Sequence, residues 1–391
     1  EQNKAYNSIN KKLRGSRIKP ILLDGITGSG KTEIYFKLVN DYLRKKKQVL
    51  VLLPEIALSQ QWIERFKKKF NFSPMIWNSN IGTAVKSQIW QSAVYGDPIV
   101  VIGTRSSLFI PFSNLGIIII DEENDNSYKQ EQNIIYNARD MAVVRANCFG
   151  HSILLVTATP SLETYYNVIK KKYNLIELNT RFSSSALPSI KIINMKKEKK
   201  KIISQQTRNE ILLALEEKRQ SLILVNRRGF APISLCKKCG AKIKCKNCDF
   251  NLVYHKNKNK LICHYCGLAY KKNSDCESCK SKNSIIEVGL GVEKVAEEVK
   301  IQFKNAKILI LSSDTLNNKN ITNTIRKIEE NKIDIIIGTQ IISKGFDFSF
   351  LEKVFILDFD MWFQNSDIRT SERVFNLTQQ VLGRAGRREK S

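Results

Sequence analysis

The chain has 391 residues, 42% of them hydrophobic, with 64 Lys and Arg against 37 Asp and Glu for a formal net charge of +27. At about 150 residues per domain this length predicts two or three domains, and the apolar content excludes wholesale disorder. No apolar run approaches the ~18 residues of a membrane-spanning helix, and the start Glu1-Gln2-Asn3-Lys4 offers no stretch of a secretory leader, so a cytoplasmic protein with no membrane contact is expected. The basic surplus fits a polyanionic partner such as nucleic acid. It fits equally a chain rich in Lys, Asn and Ile together, as at 196–201 and 317–323, whose lysines coat solvated faces.

Short apolar runs at 21–23, 49–53, 99–102, 117–120 and 153–156 alternate with helical stretches. Each run is closed by turn or capping residues: Asp24-Gly25, Pro54, Gly103-Thr104, Asp121 and Thr157. That is the pattern of a parallel sheet buried on both faces. A second series follows at 222–225, 308–311, 335–337 and 354–357. Between them, 179–203 carries a serine run, Pro188 and a charge run, and reads as a linker. The expected fold class is α/β. Two doubly wound lobes are placed at 1–180 and 205–391, with the linker at 181–204. A cysteine-rich insertion at 234–282 interrupts the second lobe after its first strand, and no internal repeat is visible in the primary sequence.

Gly25-Ile26-Thr27-Gly28-Ser29-Gly30-Lys31-Thr32 matches G-x-x-x-x-G-K-[ST], between a predicted strand and a helix-forming stretch at 33–43. Its glycines let backbone N–H groups curl around phosphate oxygens, and the N-terminus of the following helix adds positive field. Lys31 would neutralise β/γ-phosphates and the Thr32 hydroxyl would face Mg²⁺, so ATP with Mg²⁺ is the expected ligand. The run at 117–120 delivers Asp121 and Glu122 to the C-terminal edge of the same sheet, where α/β proteins bind ligands. Asp121 suits a Mg²⁺ ligand and Glu122 a base for the attacking water. Near the end of the chain, Arg384 and Arg387 lie one helical turn apart, after Gln380. Such arginines could stabilise charge on a transferring phosphoryl group by closing onto the first lobe's site.

Eight of the nine cysteines form four C-x-x-C pairs: Cys236/Cys239, Cys245/Cys248, Cys263/Cys266 and Cys276/Cys279. Tetrahedral zinc takes four thiolates, so eight make two Cys₄ sites, and two Zn²⁺ are expected. Sequential pairing would leave only residues 240–244 between the halves of the first site. Nested pairing instead joins Cys245, Cys248, Cys263 and Cys266 across a hairpin-like alternation, Asn251-Leu252-Val253-Tyr254, with a polar turn at 256–260. Cys236, Cys239, Cys276 and Cys279 then form the outer site. With so little apolar content, metal must hold the insertion together. Cys148 is left over and is expected to be a small buried residue. His255 and His264 are read as bystanders, since thiolates already fill both sites, and His151 carries no assignment.

The segments 25–35 (GITGSGKTEIY), 53–60 (LPEIALSQ), 102–112 (IGTRSSLFIPF), 121–130 (DEENDNSYKQ), 136–146 (YNARDMAVVRA), 157–164 (TATPSLET), 226–232 (NRRGFAP), 338–348 (GTQIISKGFDF) and 378–387 (TQQVLGRAGR) resemble superfamily 2 helicases. In that order, and with the cysteine block, they resemble more narrowly the bacterial primosomal protein N′ family of replication-restart helicases. The resemblance implies RecA-like lobes with a zinc-ribbon-like insertion, and ATP-driven 3′-to-5′ DNA unwinding at abandoned or stalled forks. The partners it implies are forked and single-stranded DNA, other primosome proteins, single-stranded DNA-binding protein and the machinery that loads the replicative helicase, with the chain itself a monomer. It assigns Lys31, Thr32, Asp121 and Glu122 to nucleotide and Mg²⁺, and Gln380, Arg384 and Arg387 to the last helicase motif. It also implies the nested cysteine arrangement. Residues 125–136, with Tyr128 and Tyr136, look like the family's aromatic-rich loop, whose rings could stack on bases. The chain departs from the family pattern in three places: Asn124 stands for a usual His, Val292 for a usual Thr, and Ser312-Ser313 where a basic residue is common. Asn124 can hydrogen-bond across a cleft but takes no charge. The resemblance covers the helicase core and not the family's N-terminal DNA-binding regions or C-terminal domain. Two other readings remain open: an RNA-acting member of the same superfamily, and a decayed core that only binds DNA or partners.

Overall fold

The computed structural model describes the chain except residues 15–18, 55–59, 80, 132–133, 182–187, 196–197, 199–201, 227–232, 256–258, 264, 289–290, 312–320, 340–347, 349, 364–367 and 384–391. The chain divides into two compact units, one formed by Glu1–Ser185 with Thr378–Gly383 and the other largely by Ala186–Leu377.

The first unit begins with α1 (Gln2–Leu13), β1 (Ile21–Gly25), α2 (Lys31–Arg44), β2 (Gln48–Leu52), α3 (Gln60–Phe70), β3 (Met75–Trp77), α4 (Thr83–Tyr95) and β4 (Val100–Gly103). It continues through β5 (Leu115–Asp121), a short pair β6 (Lys129–Gln130) and β7 (Tyr136–Asn137), α5 (Ala138–Phe149), β8 (Ser152–Thr157), α6 (Leu162–Ile169) and β9 (Asn174–Leu178). Seven strands form one sheet in the order β3-β4-β2-β5-β8-β1-β9, and every pairing is parallel. Successive strand residues alternate between two cores. Leu23, Val51 and Ile119 pack with Phe36, Leu38 and Phe66 on one face. Leu22, Leu52, Ile118 and Leu155 pack with Ile89, Ala142 and Ala146 on the other. A strand covered on both sides needs no polar face, which is why the central strands read as unbroken apolar runs. The two strands that the apolar runs do not announce, β3 and β9, are the two edges of the sheet. With less cover they carry partly exposed residues, Asn174 and Glu177 among them.

In the second unit, α7 (Gln205–Glu216) leads into β10 (Gln220–Leu224). The insertion follows, with β11 (Ile233–Cys236), β12 (Val253–His255), β13 (Lys260–Ile262), β14 (Ala269–Lys271) and β15 (Ile285–Val288). The lobe then resumes with α8 (Val292–Gln302), β16 (Ile308–Leu311), α9 (Ile321–Glu329), β17 (Ile335–Gly338), β18 (Leu351–Ile356) and α10 (Thr370–Leu382). Its sheet is parallel in the order β16-β17-β10-β18. Ile223, Ile335 and Ile337 meet Val295, Ala296 and Val299 of α8 and Ile211 of α7 in its core. The insertion has its own antiparallel framework. β11 pairs with β15 as a stem, and β12, β13 and β14 form a three-stranded sheet. Most of the polar turn expected at 256–260 lies outside the described residues.

Candidate nucleotide site and zinc centres

β1 ends at Gly25 and α2 starts at Lys31, so residues 25–30 form the turn between them. The turn needs left-handed backbone at Gly28 (φ 84°) and Gly30 (φ 85°), which glycine adopts without strain. Gly30 is doubly constrained, because a Cβ there would collide with the Gln2 side chain. The Gln2 amide in turn donates to the Ser29 carbonyl at 2.9 Å, tying α1 to the loop. The Lys31 ammonium lies inside the turn and donates to the carbonyls of Gly25 (2.5 Å) and Ile26 (3.3 Å). The Ser29 hydroxyl is buried with no hydrogen-bond partner among the described residues. Curled glycines, an enclosed cation and an orphaned buried hydroxyl fit a bound phosphate chain.

Asp121 closes β5 at the same edge of the sheet. Tyr35 of α2, wholly buried, donates its phenol proton to Asp121 Oδ2 at 2.9 Å, and the Glu122 backbone N–H donates to Oδ1 at 3.1 Å. Burial pushes the Asp121 carboxyl up from the ordinary range, opposed by the Tyr35 hydrogen bond and the Lys31 charge. Burial likewise pushes Asp24, at the end of β1, up to about 6 against the pull of Lys31. Glu122 has φ 49°, a left-handed conformation rare for a side chain of its size and costly enough to mark a functional turn. A buried carboxylate, its neighbour on a strained turn and an ammonium at one sheet edge can hold a cation–phosphate pair beside an oxygen base.

The next two residues knit this turn to the 157–164 segment. Glu123 is buried and accepts from the Ser161 N–H (2.7 Å), the Ser161 hydroxyl (3.0 Å), the Thr164 hydroxyl (2.9 Å) and the Arg139 guanidinium (3.2 Å). Asn124 donates to Thr159 Oγ1 at 3.0 Å and accepts from Thr157 Oγ1 at 3.1 Å. The bonds of Asn124 described here are thus made within the first lobe, where the sequence suggested reach across a cleft.

Tyr128 also departs from expectation. It is 1% exposed, and its hydroxyl donates toward the carbonyls of Leu52 (3.0 Å) and Asp121 (2.6 Å), so it buttresses β5 from below and presents no ring to a base. Tyr136 is partly exposed and meets the exposed Phe109 edge-on at 5.4 Å. Cys148 is exposed, not the buried residue expected, because it falls on the solvent side of α5. Gln380 lies in α10. Arg384 and Arg387 lie outside the described residues, as do His264, Ser312 and Ser313, all but Asn226 of the 226–232 segment, and most of 338–348. Val292 opens α8 and is buried in the second lobe's core.

The eight cysteines form two groups, Cys236, Cys239, Cys276 and Cys279, and Cys245, Cys248, Cys263 and Cys266. This is the nested arrangement. Within each group all sulfurs lie within 4.8 Å of one another, and the near pairs are 3.3 to 3.7 Å apart. A zinc–sulfur bond of about 2.3 Å implies a tetrahedral edge of about 3.8 Å, so the donor sets fit zinc. All four C-x-x-C turns share one backbone design. The residue after each second cysteine has positive φ: Gly240 73°, Asp249 58°, Gly267 79° and Lys280 56°. Each first cysteine donates its N–H to the carbonyl five residues on, at Ala241, Phe250, Leu268 and Ser281. That is a fourfold structural repeat of a motif whose intervening residues differ every time. Hydroxyls lie against the sulfurs: Ser284 Oγ is 3.3 Å from Cys236 Sγ and the Tyr270 hydroxyl 3.2 Å from Cys245 Sγ. His255 is a bystander to both groups and faces Glu293 at 3.8 Å.

Several contributors to the nucleotide site escape sequence reading: Gln2, Tyr35, Trp62, Glu123 and Arg139. Glu123 sits in the acidic run beside Asp121, and Tyr35 in the segment after the glycine loop. Nothing in their spacing reveals which is buried or bonded.

The geometry defines a class, a RecA-like helicase core with a zinc-ribbon-type insertion. Residues 1–168 match the DEAD/DEAH box helicase family, and residues 245–270 match the PriA DNA helicase Cys-rich region domain. Among curated proteins the chain is 48% identical over 373 residues to the replication restart protein PriA of Rickettsia prowazekii, covering 94% of this chain and 58% of that protein. It is 40% identical to that of Borreliella burgdorferi, covering 99% and 59%, and 36% identical to that of Bacillus subtilis, covering 100% and 49%. Over nearly its whole length the chain is similar to the PriA replication restart proteins, and it spans about half to three-fifths of the length of the relatives it matches. Among solved structures it resembles the DUF1998 helicase MrfA bound to DNA (TM-score 0.57, 14% identity, 99% of this chain and 44% of that one). It also resembles RecG bound to a three-way DNA junction (TM-score 0.55, 15% identity, 99% and 40%). At those identities the likeness concerns the fold. No helix among the described residues is long and apolar enough to cross a membrane.

Proposed function

We propose that this chain is the motor core of an ATP-driven DNA helicase of replication restart, moving 3′ to 5′ on one strand at abandoned or stalled forks. The observation that carries the reading is the meeting of Lys31, Thr32, Asp121 and Glu122 at one sheet edge, with Tyr35 of the helix that follows the loop bonded to Asp121. On binding ATP, Lys31 exchanges its two loop carbonyls for β/γ-phosphate oxygens, and the backbone of residues 25–32 wraps the chain of phosphates. Thr32 and Asp121 would hold Mg²⁺, which would supply positive charge beside the phosphate oxygens. Glu122 orients the attacking water and accepts its proton. Gln380, Arg384 and Arg387 complete the reading, the two arginines stabilising charge on the transferring phosphoryl group.

The zinc-held insertion, two Zn²⁺ on eight thiolates, is a structural platform with no open metal position, since each site is filled by sulfur. Its net basic charge suits DNA. Direction, fork recognition and the partners (other primosome proteins, single-stranded DNA-binding protein, the replicative-helicase loading machinery) rest on the likeness to PriA proteins, as do a monomeric state and a cytoplasmic location. The test is strand displacement from duplexes bearing a 3′ or a 5′ single-stranded tail. ATP-dependent displacement with the appropriate tail polarity, lost in Lys31→Ala, supports the reading. Displacement that ignores polarity, or survives in Lys31→Ala, overturns it.

A further inference from the structure

Tyr35 joins α3 to the end of β5. It is fully buried, with its hydroxyl at the junction of three elements. Trp62 of α3 donates its indole N–H to the Tyr35 oxygen at 2.7 Å. Tyr35 spends its own proton on Asp121 Oδ2 at 2.9 Å. Its oxygen is thus engaged both as acceptor and as donor.

We infer that Tyr35 is a positioning residue for the cation site, fixing Asp121 with Trp62 as its brace. The inference rests on the nucleotide-site reading above. A carboxylate held at one oxygen by Tyr35, and at the other by the Glu122 N–H, cannot swing. Metal ligands are ordinarily oriented by such outer partners, whose loss costs about 10- to 100-fold in metal affinity. Trp62 is itself locked, stacked on Phe66 at 5.4 Å and edge-on to Phe36 at 5.3 Å, so the brace is rigid. The chain of contacts runs from α3, through a single oxygen, to Asp121, which would hold Mg²⁺. A shift of α3 therefore reaches the cation site without any intervening mobile group.

The experiment is nucleotide binding by the chain, measured with a fluorescent ATP analogue in Mg²⁺ and again in EDTA. Tyr35→Phe keeps the ring in its core and deletes only the oxygen. The expected result is a loss of roughly tenfold in the Mg²⁺-dependent gain in affinity, with binding in EDTA unchanged. ATPase titrated with Mg²⁺ should show a higher half-saturating concentration in parallel. Trp62→Phe removes one donor from outside the site and should show a smaller loss of the same kind, which keeps the test sound if Tyr35→Phe folds poorly. Equal weakening with and without Mg²⁺ would mark Tyr35 as merely structural and overturn the inference. So would wild-type behaviour in both variants. Failure of the unaltered chain to bind nucleotide at all would overturn the site reading and this inference with it.

Discussion

Asp24 shows how a single buried group near the phosphate loop records its surroundings. Burial lifts its carboxyl to about 6, against an unfolded value near 4. The folded chain therefore holds the proton more tightly than the unfolded one. Its stabilising contribution is complete below about pH 4 and is lost as pH rises through about 6. Asp24→Asn removes that dependence. Urea unfolding without nucleotide should show the stability difference between Asp24→Asn and the parent moving in the variant's favour from pH 4 to pH 7. A difference independent of pH would show that Asp24 titrates normally. At this scale the sequence was legible where chemistry is local. Gly25 to Thr32 and Asp121-Glu122 are contiguous runs whose residue types announce their roles. Glu123 was not, because its partners Arg139, Ser161 and Thr164 lie 16 to 41 positions away and meet only once β5, α5 and the start of α6 are in place. Tyr128 misled for a related reason: an aromatic in a loop reads as exposed until the sheet covers it.

Among the elements, the cysteine insertion is the one with least core of its own, a small cluster in which Cys245 and Cys263 pack with Leu252, Tyr254 and Leu261. Two of the five residues are also metal ligands, so metal binding and folding of this sheet are one event. Cys245→Ser should lower bound zinc from two to about one per chain, measured by atomic emission, and should free the three-stranded sheet for rapid amide exchange while β10, β16 and β17 stay protected. Two zinc ions retained in Cys245→Ser would break the nested assignment. The nesting was legible because β12 and β13 alternate between the two inner cysteine pairs and make the hairpin visible. The fourfold repeat of the turn was not, because it is written in φ angles and backbone bonds. Gly240, Asp249, Gly267 and Lys280 have no common side chain, and only the first three are residue types that a left-handed position favours. In the lobes, central strands were readable as apolar runs, and edge strands β3 and β9 were hidden by their partial exposure.

For the whole molecule, the two α/β lobes and the insertion have the fold of a helicase core, and the likeness to PriA replication restart proteins supports the proposed place in replication restart. The basic charge of +27 agrees with a DNA track but would agree with other polyanions. The order of motifs along the chain was readable from the sequence, whereas the arrangement that gives them meaning depends on seven strands meeting in one sheet. The central claim, that nucleic acid drives ATP turnover at the Gly25–Thr32 loop, is tested most directly by the steady-state ATPase rate of this chain with and without forked DNA, beside RNA of the same sequence. The account predicts a rate that rises strongly on adding DNA, rises less with RNA, and vanishes in Lys31→Ala at every DNA concentration. A rate indifferent to DNA, or one that survives in Lys31→Ala, would contradict it.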